Sequence, residues 1–205
     1  MIRRVGWYFA LILMLAGCAS ITSSPEKTQH PASAYHDTID IDGRLSVQYQ
    51  QNGSNEALHG NFSWSQTPKR TVIALSSPLG QTLAVIEVTP DMSILTQSGR
   101  PRRMAADPDT LTELALGWPL PIAGMRYWLQ GVAIDTNGQR FVASGQSEAS
   151  AAVSTQDGWQ IRYVSWQDGE SSSAFSHPKR IDLVRKTQQA GDVSIRLVID
   201  NWQPR

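Results

Sequence analysis

Residue types that perform covalent chemistry are scarce in this sequence of 205 residues. It has one cysteine, Cys18, and four histidines, which show no spacing typical of metal ligands. The sequence contains no phosphate-binding loop, no Gly-x-Ser-x-Gly nucleophile elbow and no His-Glu-x-x-His motif. The residue types therefore predict no metal site and no cofactor.

Two pairs of acidic residues have the spacing of a general acid and base. Asp40 and Asp42 lie on one face of a predicted strand, and Asp107 and Asp109 stand where a helix is predicted to begin. Acidic side chains at a helix start cap its free backbone N–H groups, which explains the second pair without catalysis. We therefore predict that the protein is not an enzyme.

The context of Cys18 gives this residue a different chemistry. Arg3 and Arg4 precede an apolar run of about ten residues, a length typical of a secretory signal and too short to cross a bilayer. The motif Leu-Ala-Gly-Cys at residues 15–18 resembles a bacterial lipobox, in which the thiol receives diacylglycerol and the new amino end a palmitoyl chain. An ordinary cleaved signal with a chance cysteine is the alternative.

The lipobox predicts how the amino-terminal part is organised. Residues 1–17 form the signal peptide, and residues 18–38 form the lipidated cysteine and a Ser/Thr/Pro-rich tether, with a short helix at Ala32–Thr38. Two or three acyl chains hold a protein on a membrane almost permanently. The resemblance to bacterial lipoproteins implies a destination as well: Ala19 stands where an aspartate commonly retains them at the inner membrane, which favours the outer membrane with the domain facing the periplasm.

Composition limits the partners and the source of stability. Residues 18–205 carry 16 basic and 18 acidic side chains, and this near-neutral charge argues against nucleic acid and against a polybasic membrane patch. A lone cysteine allows no internal disulfide, so a hydrophobic core must hold the domain together.

Alternating apolar and polar residues predict a mostly β domain at residues 39–205. The predicted strands are 39–49, 58–66, 72–75, 83–86, 92–96, 140–143, 160–166, 180–184 and 193–199. Two helices interrupt them, one starting at Asp107-Pro108 and ending at Gly117, the other at Ile122–Gln130. The pattern predicts an antiparallel sheet curled into an open or closed barrel, with the helices covering one face.

Two apolar features stand out as candidate binding elements. Pro78-Leu79-Gly80 forms the turn between two strands, and a leucine at a turn tip is unusual because such tips are normally polar. A set of large apolar side chains could line a lipocalin-like cavity or simply fill a barrel, and periodicity does not distinguish these two alternatives. The set is Phe62, Trp64, Leu83, Val85, Trp128 and Trp159.

The chain resembles the LolB family of outer-membrane lipoprotein receptors along most of its length. The matching segments are Gly43-Arg44-Leu45, residues 60–66, Ser77-Pro78-Leu79-Gly80, Leu120-Pro121, residues 128–131, residues 158–161, residues 178–183 and residues 197–202. The resemblance implies an incomplete β-barrel with a short helical lid over an apolar cavity. It also implies that acylated lipoproteins arrive from the periplasmic carrier LolA and enter the inner leaflet of the outer membrane.

The resemblance gives Leu79 a role, since the matching leucine protrudes and touches outer-membrane phospholipid during insertion. A leucine folded back onto its own hairpin is the alternative. We expect a monomer. Three other functions compete: a lipid-anchored binding protein for a small hydrophobic ligand, an outer-membrane β-barrel and a purely structural lipoprotein. The strands are mostly too short for the membrane barrel.

Overall fold

The computed structural model describes residues 35–51, 53–144, 151–167 and 176–205. Cys18, the predicted signal peptide and most of the predicted tether lie outside these residues. The described part contains no helix with the length and hydropathy needed to cross a membrane.

Twelve strands and two helices make up the described residues. The strands are β1 (Ile39–Gln51), β2 (Ser54–Gln66), β3 (Thr71–Ser76), β4 (Thr82–Val88), β5 (Ser93–Gln97), β6 (Arg103–Ala105), β7 (Val132–Ile134), β8 (Arg140–Val142), β9 (Ala151–Ser154), β10 (Gln160–Gln167), β11 (His177–Thr187) and β12 (Gly191–Pro204). The helices are α1 (Pro108–Leu116) and α2 (Ile122–Trp128).

Ten of the strands form one antiparallel sheet in the order β6-β5-β4-β3-β2-β1-β12-β11-β10-β9. The end strands β6 and β9 do not pair with each other, so the sheet stays open, while β7 and β8 form a separate hairpin. The predicted fold class, a mostly β protein with an open antiparallel sheet and a short helical segment, is confirmed.

The core lies on the sheet face that the two helices share. Strand residues point alternately to the two faces of the sheet, and the buried side chains of the central strands all point to the same face. In β1, for example, Ile39, Ile41 and Val47 are at most 5% exposed, whereas Arg44 and Gln48 face solvent. The described core and the side chains packed on it lie within residues 39–202. A chain that begins after Cys18 therefore keeps this whole core, and we expect it to fold.

The start and end of α1 follow the capping signals in its sequence. Asp107 is the N-cap, and its carboxylate accepts a hydrogen bond from the backbone N–H of Thr110 at 2.8 Å, which holds the pKa of Asp107 below its ordinary value. Pro108 opens the helix, and Gly117 ends it with a φ of 83°. The second helix stops at Trp128, two residues before the predicted end.

The segment before β1 differs from the prediction. Residues 32–34 of the predicted helix lie outside the described residues, and Tyr35–Thr38 are not helical. Tertiary contacts explain the difference, because the Tyr35 ring stacks on Tyr127 at 5.3 Å and the His36 backbone N–H donates to Gln130 Oε1 at 2.8 Å. These contacts hold the segment against α2 in a non-helical conformation.

Gly43 marks the tightest point of the central sheet and provides a test of its packing. A Cβ atom there would meet the Val198 carbonyl oxygen and lie 2.8 Å from a ring carbon of Phe62. We expect Gly43→Ala to lower the free energy of unfolding by about 1–3 kcal/mol, the usual cost of overpacking. Chemical denaturation measures it. Gln48→Ala, at an exposed site on the same strand, is the control, and equal stability of both variants would contradict the close approach.

Candidate functional site

An apolar pocket lies between the inner face of the sheet and the segment that contains both helices. We call this space the inner pocket and residues 108–128 the lid. Its wall is made by Leu45, Val47, Tyr49, Leu58, Phe62, Trp64, Ile73, Leu75, Ile195 and Leu197 from the sheet and by Leu116, Trp118, Leu120, Ile122, Met125 and Leu129 from the lid and its end. None of these side chains is charged, so the pocket suits hydrocarbon.

The inner pocket is nearly closed in this structure. Its volume is about 100 Å³, whereas pockets for small organic ligands measure roughly 300–1,000 Å³. An acyl chain therefore enters only if the wall moves. The lid side of the wall is the part that can move without breaking strand pairing.

Polar contacts fix the lid at a few points and hold its two helices together. The Asp109 carboxylate accepts from the backbone N–H of Ala123 at 3.2 Å, and the Thr112 hydroxyl accepts from that of Leu120 at 2.8 Å. Burial raises the pKa of Asp109 above its ordinary value. Arg126 fastens α2 to the β2–β3 turn, donating to the Thr67 carbonyl at 2.9 Å. The two helices are thus linked to each other, and apolar contacts fill the space below them.

Three side chains of the wall carry a polar atom, namely Tyr49, Trp64 and Trp118. Trp118 is 2% exposed, and its indole N–H has no hydrogen-bond partner among the described residues. A buried indole N–H usually has a partner, because leaving a donor unpaired costs free energy. This donor is therefore available to a carbonyl oxygen of a bound ligand.

The predicted cavity residues of the sheet fall on both of its faces. Phe62 and Trp64 line the inner pocket, but Leu83 and Val85 do not. In β4, Ala84 pairs with Leu75 of the pocket wall and is buried, so the alternate residues Leu83 and Val85 lie on the opposite face. The prediction that these two residues line the cavity is therefore wrong, because Ala84 between them is the residue on the pocket side.

The two predicted tryptophans are not part of the inner pocket wall. Trp128 and Trp159 are 5% and 1% exposed, and their rings contact each other with centroids 6.3 Å apart. Trp128 also borders a second, open depression of about 730 Å³, which reaches polar residues such as Arg140 and Asp157. We favour the inner pocket for hydrocarbon, because its wall contains no charged side chain.

The Leu79 side chain stands free of the protein. It is 97% exposed, at the tip of the turn between β3 and β4. The backbone N–H of Gly80, with a φ of 86°, donates to the Ser77 carbonyl at 2.9 Å, and Asn61 Nδ2 donates to the same oxygen at 3.2 Å. The turn is therefore held at its base, and Leu79 does not fold back onto the hairpin.

The turn and the inner pocket share one end of the sheet. Leu75 of the pocket wall stands one residue before the end of β3, and the turn follows directly. Leu58, at 36% exposure, continues the same wall toward solvent on β2. An acyl chain that left the pocket past Leu58 would emerge beside Leu79.

Sequence reasoning missed much of the pocket wall. The inward residues of β1, namely Leu45, Val47 and Tyr49, alternate clearly in the sequence and could have been assigned to the wall on that signal. The contribution of Trp118 and Leu120 depends on how the lid packs, for which the sequence has no signal. Among the described residues, no group of acidic and histidine side chains could hold a metal ion.

Comparison with known proteins gives a consistent result. The family model for the outer membrane lipoprotein LolB matches residues 37–202. The outer-membrane lipoprotein LolB of Cupriavidus taiwanensis is 40% identical over 196 residues, covering 94% of this chain and 93% of the relative. That of Cupriavidus necator is 40% identical, covering 94% and 92%. That of Chromobacterium violaceum is 32% identical, covering 99% of this chain and 100% of the relative.

Proposed function

This chain belongs to the LolB family of outer-membrane lipoproteins, and from this premise we propose that it is the receptor that places lipoproteins in that membrane. It accepts acylated lipoproteins from the periplasmic carrier LolA and inserts them into the inner leaflet. The observation that carries the proposal is the uncharged inner pocket ending beside the exposed Leu79. No covalent step is needed, so the protein acts without catalysis.

The domain organisation follows the same proposal. The signal peptide at residues 1–17 is removed, and Cys18 carries the diacylglycerol and palmitoyl chains that hold the protein at the outer membrane. Residues 18–38 connect this anchor to the domain at residues 39–205. The connection lets the domain meet a carrier in the periplasm while the anchor stays at the membrane.

Reception of cargo requires the lid to move. Each methylene group kept out of water in an apolar site is worth about 0.8 kcal/mol, so acyl chains leaving the carrier favour an opened inner pocket over exposure to water. Phe62 and Trp64 form the floor against which the chains lie. The Trp118 indole N–H is placed to donate to the ester carbonyl of a lipid, which would fix how deep the chains enter.

Delivery uses Leu79. Burying a leucine side chain contributes about 1.5–3 kcal/mol, which is too little for permanent attachment and enough to favour brief docking on a bilayer. Docking by this side chain brings the end of the inner pocket to the leaflet surface. The acyl chains can then pass from protein to lipid with little exposure to water.

Transfer of cargo in solution tests the proposal. Carrier loaded with an acylated lipoprotein is mixed with residues 19–205 of this chain, and gel filtration locates the cargo. We expect the cargo to move to this domain. If it stays on the carrier while circular dichroism shows the domain folded, the receptor function is contradicted. A small lipid that co-purifies at fixed stoichiometry would then favour the binding protein for a small hydrophobic ligand.

A further inference from the structure

A shallow cleft opens on the outer face of the sheet, directly beside the Leu79 turn. We call it the outer cleft. Its volume is about 280 Å³, and its walls include Arg44, His59, Asn61, Pro78 and Arg196. Strand pairing fixes this arrangement, because Ser46 of β1 stands between His59 of β2 and Arg196 of β12.

Carboxylates behind the outer cleft orient its two arginines without covering them. Asp200 receives two hydrogen bonds of 2.9 Å from Arg44, and Asp182 accepts one of 3.2 Å from Arg196. The Arg44 and Arg196 side chains nevertheless remain 62% and 56% exposed. Guanidinium groups held in this way keep N–H donors free for an oxyanion.

The surroundings of Asp182 add further positive charge to the same face. Its carboxylate is 7% exposed and also binds Arg162 and Arg180. Burial alone would raise the pKa of Asp182, but the hydrogen bonds from Arg180 and Arg196 outweigh burial and lower it, so the group stays ionised. Four arginines thus face two carboxylates, Asp182 and Asp200.

Two other acids lie on the same face: Asp192 is four residues from Arg196 on β12 and stands opposite Lys186 of β11, and Asp42 lies away from the turn. Asp42 is on the same face of β1 as Arg44, one step toward the end of the strand that is far from Pro78, where Asn201 donates to it at 3.4 Å. The wall of the outer cleft itself contains two arginines and no acidic side chain. The near-neutral net charge, which argued against a basic membrane patch, does not report this local separation of charges.

We propose that the outer cleft binds the phosphate of anionic phospholipid headgroups, with Arg44 and Arg196 as its ligands. Pro78 belongs to the cleft wall and Leu79 is the next residue, so the cationic groups and the apolar tip reach a bilayer together. Leu79 enters the acyl layer while the arginines meet the phosphate layer above it. The inference rests on the proposed function, because it describes how the same receptor docks on its target membrane.

Vesicle flotation tests this docking. Residues 19–205 are mixed with vesicles of phosphatidylcholine alone or with added phosphatidylglycerol, at low and at high salt. One basic side chain near an anionic surface strengthens binding roughly fivefold. Asp200 partly neutralises Arg44, so the two arginines together contribute less than two unpaired basic side chains would. We therefore expect the double variant Arg44→Gln/Arg196→Gln to bind anionic vesicles about tenfold more weakly. Its binding to neutral vesicles should not change.

Arg70→Gln is the matched control. Arg70 is also about half exposed and also paired with a carboxylate, that of Glu87, but it precedes β3 at the end opposite the Leu79 turn. We expect it to bind vesicles like the unchanged protein. A loss in Arg70→Gln that is half the loss of the double variant on a logarithmic scale would overturn the inference, since each removed charge would then count equally wherever it lies.

Cargo transfer from the carrier separates this inference from the proposed function. We expect the double variant to accept cargo in solution as the unchanged protein does. If it binds vesicles normally but accepts less cargo, the outer cleft faces an acidic protein surface and the membrane inference is overturned. If the unchanged protein accepts no cargo, the receptor function fails, while the flotation result still decides whether the cleft binds phospholipid.

Discussion

Leu79→Glu is expected to leave cargo acceptance intact and to reduce delivery into vesicles by tenfold or more. The side chain is 97% exposed, so the substitution removes no contact within the domain and should not change its stability. Burial of the leucine side chain in a bilayer contributes about 1.5–3 kcal/mol of binding free energy. The glutamate loses this contribution and carries a charge that is costly to place in the bilayer interior. Docking then fails after the cargo has been received.

Two measurements on the same sample check this expectation. Gel filtration follows cargo from the carrier to the domain, and flotation follows cargo from the domain to vesicles. Gln81→Glu is the control, because it places the same charge in the same turn on a side chain that is already polar and exposed. Normal delivery by the Leu79→Glu variant would show that delivery does not depend on this leucine.

Leu58→Glu is expected to have the opposite effect, a loss of cargo acceptance of at least tenfold. Leu58 is 36% exposed where the wall of the inner pocket meets solvent, so a glutamate there can stay hydrated and the fold survives. An acyl chain that enters past it must strip water from the carboxylate or bend around it. Desolvating an unpaired charge costs more than one leucine contact contributes.

The neighbouring residue gives a matched control for Leu58→Glu. Ala57 is exposed, and its side chain points to the other face of β2. Ala57→Glu adds the same charge one residue away, outside the pocket, and should accept cargo normally. If both variants accept cargo equally well, acyl chains do not pass Leu58, and the entrance lies elsewhere along the lid.

Local signals in the sequence predict the parts of this fold that local chemistry determines. Asp107, Pro108 and Gly117 set the limits of α1, because capping needs only a few consecutive residues. The long strands of the central sheet follow from their alternation. The short strands β6, β7 and β9 were missed, since three or four residues carry too little periodicity to identify a strand.

The predicted cavity residues of the sheet separate into two groups. Phe62 and Trp64 line the inner pocket, whereas Leu83 and Val85 occupy the other face, because a run of four apolar residues fits either phase of a strand. The outer cleft could not be predicted. Arg44 and Arg196 meet only because β1 pairs with β12, and nothing near either residue specifies that pairing.

The pairing of β1 with β12 has a consequence for how the protein matures. The second edge of β1, the first strand of the sheet, is covered only by β12, the last strand. The contacts at this seam join residues far apart in sequence, which slows folding. Loss of carboxy-terminal residues would therefore shorten a pairing in the middle of the sheet, not at its margin.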